Sequence, residues 1–179
     1  MLNNIDLNHL KQTAEAINND PDKGFVSFAV NTRWAGQCRT QSRPKEMVID
    51  GEVIPRNFLI ESDEPEALLG KDTAANPQEL LLSALNACMS VGYVTGAAMK
   101  GITLTKLEIT AKGTLDLRGF LGLDANVKAG YDSLEYEVTI EGDGSKAQFE
   151  EIHQNVLKTS PNRFNIAMPV RLEGKLTVL

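Results

Sequence analysis

Two cysteines, Cys38 and Cys88, and two histidines, His9 and His153, are the soft ligands and nucleophiles of this sequence. They form no C-x-x-C, H-x-H or H-E-x-x-H, so a zinc site would lack nitrogen and sulfur ligands. G-x-S-x-G is absent, which removes the serine-hydrolase elbow. No Walker or dinucleotide glycine pattern occurs either, so neither a metal nor a cofactor is expected. Cys88 stands inside "NPQELLLSALNACMSVG", Asn76 to Gly92, an almost wholly apolar run. Free cysteine is among the most buried residue types, and most such thiols are inert fillers. Cys88 falls about three turns inside the helix this run predicts, beyond the reach of the N-terminal dipole. A reactive thiolate there needs a cation from elsewhere, best an arginine, which cannot lose its charge. His153 shares the apolar face of its own helix and reads as a structural histidine.

The elements that must position these residues follow from periodicity. Leu7, Leu10, Ala14 and Ile17 fall at helical spacing over Ile5–Ile17, and Asn18-Asn19-Asp20-Pro21 ends that helix. "FVSFAVNTRW" alternates and predicts a strand. "EMVIDGEVIPRNFLI" predicts two short strands in a hairpin around Asp50-Gly51. The central helix opens with Asn76 as cap, Pro77 in the first turn and Glu79 in capping-box position, and should end near Lys100-Gly101. Gly92 and Gly96 on it form a G-x-x-x-G that suits close helix packing. "LEITAKGTLDL" and "SLEYEVTIEG" alternate as strands, joined by the glycine-rich "GFLGLDANVKAG". Ser145 and Gln148 make a second capping box, opening a helix that carries Phe149, Ile152 and Val156 on one face and stops at Thr159-Ser160-Pro161. "VRLEGKLTV" predicts a terminal strand. This order gives an α+β fold with mainly antiparallel sheet. No repeat, low-complexity tract or linker is visible, so one domain over residues 1–179 is expected, with 1–20 as a helical extension.

Composition bounds the function classes. A hydrophobic content of 42% and a charged content of 23% fit a globular chain. The net charge of −6 and the lack of any basic block argue against nucleic acid or an anionic membrane as partner. Leu80 to Met99 carries no charge and has the length of a membrane span. Its serines, glycines, Asn86 and Thr95, with no basic flank or aromatic belt, fit a buried core helix instead. "MLNNIDLNHL" has neither a basic nor an apolar signal region, and two distant cysteines make no disulfide framework. A reducing cytoplasm is the expected location.

"NPQELLLSALNAC" resembles the central-helix signature of the OsmC/Ohr family, the osmotically inducible protein C and organic hydroperoxide resistance proteins. "WAGQCR", Trp34 to Arg39, resembles the family's W-x-G segment, and "LKTSPNRF" resembles the end of the helix that carries its second cysteine. The resemblance spans roughly residues 25–179. It implies an intertwined homodimer with sites at the subunit interface and a peroxidatic cysteine that reduces organic hydroperoxides; the N-terminal helix lies outside the family's usual core. It also implies an arginine that holds the thiolate, a glutamate that orients the arginine, a resolving cysteine, and an external thiol reductant.

Carried onto this sequence, Cys88 matches the peroxidatic cysteine and Arg39 the arginine, with Arg33 and Arg43 as alternatives. The glutamate position falls on Gln78, with Glu79 beside it. Gln78 and Cys88 lie about 15 Å apart along one helix, so they meet on one chain only if the helix starts late. Ser160 stands at the resolving position, where the cysteine is absent. Cys38 is the only other thiol, and as a strand neighbour of Arg39 it should face the opposite way. The expected function is thiol-dependent reduction of organic hydroperoxides in a stress or detoxification response, through Cys88 alone. The alternative is a non-catalytic small-ligand-binding member of the same fold with an unactivated cysteine.

Overall fold

A computed structural model describes residues 1–179. It is an α+β fold in which every strand pair is antiparallel. The chain forms two compact units, one of Met1 with Asp6–Leu81 and one of Leu2–Ile5 with Leu82–Leu179.

The first unit begins with α1 (Leu7–Asn19), whose cap Asp6 accepts from the backbone N–H groups of Asn8 and His9. Six strands follow: β1 (Val26–Ser27), β2 (Val30–Trp34), β3 (Thr40–Pro44), β4 (Met47–Ile49), β5 (Glu52–Ile54) and β6 (Ile60–Ser62). They make two three-stranded sheets, β1-β4-β5 and β2-β3-β6. The single strand expected over "FVSFAVNTRW" is therefore broken, because Val26–Ser27 and Val30–Trp34 pair in different sheets. The expected hairpin between β4 and β5 forms. Asp50 and Gly51 both take positive φ, 49° and 74°, as a two-residue turn of that hand requires.

Helix α2 (Pro77–Met99) opens at the boundary of the two units with the predicted box. Asn76 Oδ1 accepts from the Glu79 N–H, and Glu79 Oε2 accepts from the Asn76 N–H, each at 2.8 Å. At the other end Gly101 (φ 73°) turns the chain left-handed. The Ile102 N–H then reaches the Ala97 carbonyl at 2.9 Å and the Gly101 N–H the Ala98 carbonyl at 3.1 Å. The helix is long and apolar enough to cross a membrane by length and composition. Leu85, Met89, Tyr93, Ala97 and Ala98 form a stripe buried in protein, while Leu81, Val91 and Met99 are exposed, so the helix is less buried than a core helix would be.

In the second unit β7 (Leu104–Gly113) pairs with β8 (Leu134–Gly142), with a short helix α3 (Leu117–Phe120) in the glycine-rich connection. Helix α4 (Lys146–Thr159) carries the predicted Ser145–Gln148 box. Its Ile152 and Val156 join the α2 stripe and Ile102 as the core, and Leu107, Ile109, Val138 and Ile140 cover it from the sheet. Near the N-terminus, Asn3 donates to the Ile102 carbonyl at 2.8 Å and accepts from the Leu104 N–H at 2.9 Å. The first residues thereby tie down the start of β7. A further helix, α5 (Pro161–Ala167), follows α4 directly and was not anticipated.

The terminal strand expected over "VRLEGKLTV" does not form. A strand needs a neighbour for its ladder of hydrogen bonds. β7 and β8 pair only with each other, and Leu172, Leu176 and Val178 of the terminal run stay exposed.

The close packing expected of G-x-x-x-G is present. A Cβ at Gly92 would stand 3.0 Å from Val156 Cγ2, and one at Gly96 3.0 Å from Ile152 Cγ2. Gly96→Val should therefore lower stability by about 1–3 kcal/mol, although any β-carbon raises helix propensity over glycine. A urea titration checks this: the midpoint falls while the slope is unchanged.

Candidate active site

Cys88 is half-buried on α2, one turn before Gly92 and two before Gly96. On α4 the matching steps are Ile152 against Gly96, Val156 against Gly92, and Ser160 one turn further. That step brings Ser160 Oγ to 3.4 Å from Cys88 Sγ, in donor geometry. Ser160 is buried, 6% exposed, and ends α4 while starting α5. Its N–H satisfies the Val156 carbonyl at 3.0 Å. Its hydroxyl makes no capping bond in α5 and is left to the sulfur.

A second donor reaches the same atom. The backbone N–H of Asn162 lies 3.5 Å from Cys88 Sγ. The Asn162 side-chain amide donates to the Ala84 carbonyl at 2.8 Å, one turn ahead of Cys88 on α2. Arg163 donates from Nη1 to the Leu157 carbonyl at 2.7 Å, which fastens α5 back onto α4. Two neutral donors thus converge on the thiol sulfur.

The other expected site residues lie in the first unit. Arg39 sits in the turn between β2 and β3, just ahead of β3. Its Nη2 lies 3.3 Å from Glu61 Oε1, and Gln41 donates to the same oxygen at 3.0 Å. The Gln41 amide and, after the opposing effect of burial, Arg39 hold the Glu61 carboxyl below its usual value. Arg33 lies on β2 opposite Gln41, and Arg43 on β3 opposite Asn31. Gln78 and Glu79 are exposed in the first turn of α2, and Glu79 is engaged in its cap. Since α2 starts at Pro77, it does not start late.

Cys38 shares the turn with Arg39, so the strand alternation expected for the pair does not apply. Gly36 (φ 95°) and Gln37 (φ 52°) bend the chain there. Cys38 Sγ donates to the Leu69 carbonyl at 3.4 Å, and Gln37 Nε2 donates to the same carbonyl at 2.8 Å. The loop that presents Leu69 is gathered by Asp63, which is 1% exposed. Its carboxylate accepts from the N–H groups of Glu64, Lys71 and Thr73 and from the Thr73 hydroxyl. Burial pushes this carboxyl up, and the four donors outweigh it and hold it below its ordinary value. Gly70 closes the loop, since a Cβ there would overlap the Glu64 carbonyl.

A cavity of about 730 Å³ in the second unit is lined by Tyr93, Tyr136, Val138, Phe149 and His153 among others, and Cys88 is not among its walls. Tyr93 Oη and His153 Nδ1 lie 2.5 Å apart. Burial, then the neighbouring Tyr136, pushes the Tyr93 phenol up to about 12. It therefore keeps its proton, and the hydroxyl and Nδ1 share one hydrogen bond. His153 gains a partner that lies on another helix and that periodicity alone did not assign to it.

A family model described as OsmC-like protein matches residues 70–173, more than half of the chain. The chain belongs to the OsmC-like family. Its fold is similar to the crystal structure of an OsmC-like protein from Mycoplasma pneumoniae, with a TM-score of 0.62 and 18% identity over 79% of this chain and 87% of that one. It is also similar to an OsmC-like protein of unknown function from Vibrio cholerae, with a TM-score of 0.54 and 15% identity over 76% and 91%. A third similar structure is an organic hydroperoxide resistance protein OsmC from Legionella pneumophila, with a TM-score of 0.52 and 15% identity over 78% and 88%. A search of curated proteins found no match.

In this OsmC-like chain the Asp63 clasp makes the first unit acid-sensitive. A carboxyl held below its ordinary 3.8 stabilises the fold above that pH, and the contribution is lost as pH falls through the lower folded value. Asp63→Asn should lower the urea midpoint at pH 7. The gap to wild type should close as the pH is taken below 3.8, which midpoints measured along that series would show.

Proposed function

We propose that this protein reduces organic hydroperoxides through Cys88 as its single reactive cysteine, with an external thiol as reductant. The observation that carries this reading is the Ser160 hydroxyl 3.4 Å from Cys88 Sγ. The residue at the position where a resolving thiol would stand is in contact with the sulfur, and it cannot form a disulfide. The Legionella pneumophila structure, named as a hydroperoxide resistance protein, supports the substrate class.

The chemistry closes without a second cysteine. The Cys88 thiolate attacks the distal peroxide oxygen, the O–O bond breaks, and the alkoxide leaves with a proton as the alcohol. Cys88 is left as the sulfenic acid. One external thiol condenses with it, releasing water and forming a mixed disulfide. A second thiol attacks that disulfide, restoring Cys88 and leaving the reductant oxidised. A reducing cytoplasm supplies such thiols. Arg39 is the cation this reading assigns to the thiolate and the leaving oxygen, and Gln78 and Glu79 are its assigned neighbours. Cys38 is a resolver only in a minor variant of the scheme.

The reading takes a homodimer as the working unit. Trp34 is 76% exposed and Val91, on α2, 64% exposed, and Phe25, Phe28 and Leu172 are exposed with them. Exposed large apolar side chains in each unit support that reading. The alternating run 170–178 has the pattern of a strand that lacks its neighbour.

A second reading keeps the fold without turnover and makes the chain a small-ligand-binding protein. The cavity of about 730 Å³ beside His153 favours it.

One assay separates them. Wild type should consume cumene hydroperoxide in the presence of a dithiol, and Cys88→Ser should fall to the background rate. Equal rates for the two proteins would remove the catalytic reading and leave the binding one.

A further inference from the structure

We propose that Ser160 is a catalytic residue in its own right, the hydroxyl donor that holds the Cys88 thiolate, with the Asn162 backbone N–H as a second donor. The proposal rests on the reading of Cys88 as the reactive sulfur and concerns how that sulfur is held. Three observations carry it. The Ser160 hydroxyl is buried, caps nothing in α5, and points at Cys88 Sγ at 3.4 Å. The Asn162 N–H approaches the same sulfur at 3.5 Å. The Asn162 amide is anchored on Ala84, so the start of α5 is pinned over the turn of α2 that leads into Cys88.

A buried hydroxyl needs a partner. Here the sulfur is that partner, and the bond strengthens when the acceptor becomes charged, since charge-assisted hydrogen bonds are roughly twice as strong as neutral ones. Ser160 and Asn162 therefore stabilise the thiolate with neutral donors, independently of any arginine. After oxidation the same two donors face the sulfenic acid. A hydroxyl does not attack it to close a disulfide, so the sulfenic acid waits for an outside thiol.

Alkylation of Cys88 by iodoacetamide, followed by peptide mass mapping across a pH series, tests this without reference to peroxide turnover. Ser160→Ala should slow alkylation at pH 7 about tenfold, as expected for losing a hydrogen bond to a charged group, and leave the high-pH plateau unchanged. Ser160→Thr, which keeps the hydroxyl, should restore the wild-type profile. A Ser160→Ala profile superimposed on wild type would overturn the proposal, as would equal shifts in Ser160→Ala and Ser160→Thr. Ser160→Cys gives a second measurement should the alanine variant not fold. One equivalent of cumene hydroperoxide, with no reductant, should oxidise Cys88, and the new thiol should attack the sulfenic acid, expelling water and forming a Cys88–160 disulfide. Sulfenic acid that dimedone traps in both wild type and Ser160→Cys, with no disulfide, would show that the two positions do not meet and would overturn the proposal. Failure of the peroxidase reading would show elsewhere, as equal peroxide consumption by wild type and Cys88→Ser.

Discussion

The close approach of α2 and α4 is the constraint from which the rest of the candidate site follows. Gly92 and Gly96 have no Cβ, so Val156 and Ile152 sit directly on the α2 backbone, where an added Cβ would stand only 3.0 Å from each and force it to shift. Residues four apart lie on one face of a helix, one above the other. The contact therefore fixes a register that advances by one turn on each helix. Gly96 meets Ile152, Gly92 meets Val156, and one more step pairs Cys88 with Ser160. Packing energy, through Met89, Tyr93, Ile152 and Val156, thus determines which residue faces the sulfur. The site needs no separate device to bring its two partners together.

The same register explains where α5 begins. α4 cannot continue past Thr159, because Pro161 lacks the N–H and disfavours helical geometry in the residue before it. The chain turns at Ser160, whose extended backbone (φ −73°, ψ 113°) ends one helix and opens the next. Proline then suits the first position of α5. The turn exposes the first N–H groups of a new helix at the level of Cys88, and that of Asn162 is directed at Sγ. The sulfur satisfies a group that the missing side-chain cap would otherwise have taken. The contact that stands in for the missing cap of α5 is thus also a contact to the sulfur.

Legibility in the sequence divides along physical lines. Both capping boxes, the Asp50-Gly51 turn and the Gly101 stop are local, set by residues within a few positions of each other, and all appear where their chemistry predicts. G-x-x-x-G announced a close contact, but a pattern on one helix does not name the partner or its register. Arg39 pairs with Glu61, and Asp63 gathers a loop through Thr73, because a sheet pairing and a glycine-closed loop bring those residues together. Helix α5 is too short, at seven residues, to leave a periodic signal. Asn162 went unassigned with it, although Ser160 followed by Pro161 carries the local signal of a helix start. The terminal run shows the opposite failure. Its alternation is clear, but alternation states which face would be buried and not what would bury it.

Steric and chemical demands on position 160 can be told apart. The ladder of small residues on α2 requires something compact opposite Cys88, and serine and cysteine both satisfy it with similar volume. Burial adds a second demand that only a polar group feels, because a hydroxyl sealed from water must find a partner. Cys88 Sγ is that partner, so the dependence runs both ways. An alanine at 88 would remove the thiol and also orphan the Ser160 hydroxyl and the Asn162 N–H, which costs stability for reasons unrelated to reactivity. A serine at 88 keeps an acceptor in place and removes only the nucleophile. Loss of function in the serine variant therefore reports on the sulfur's chemistry, whereas the alanine variant mixes chemistry with an uncapped helix.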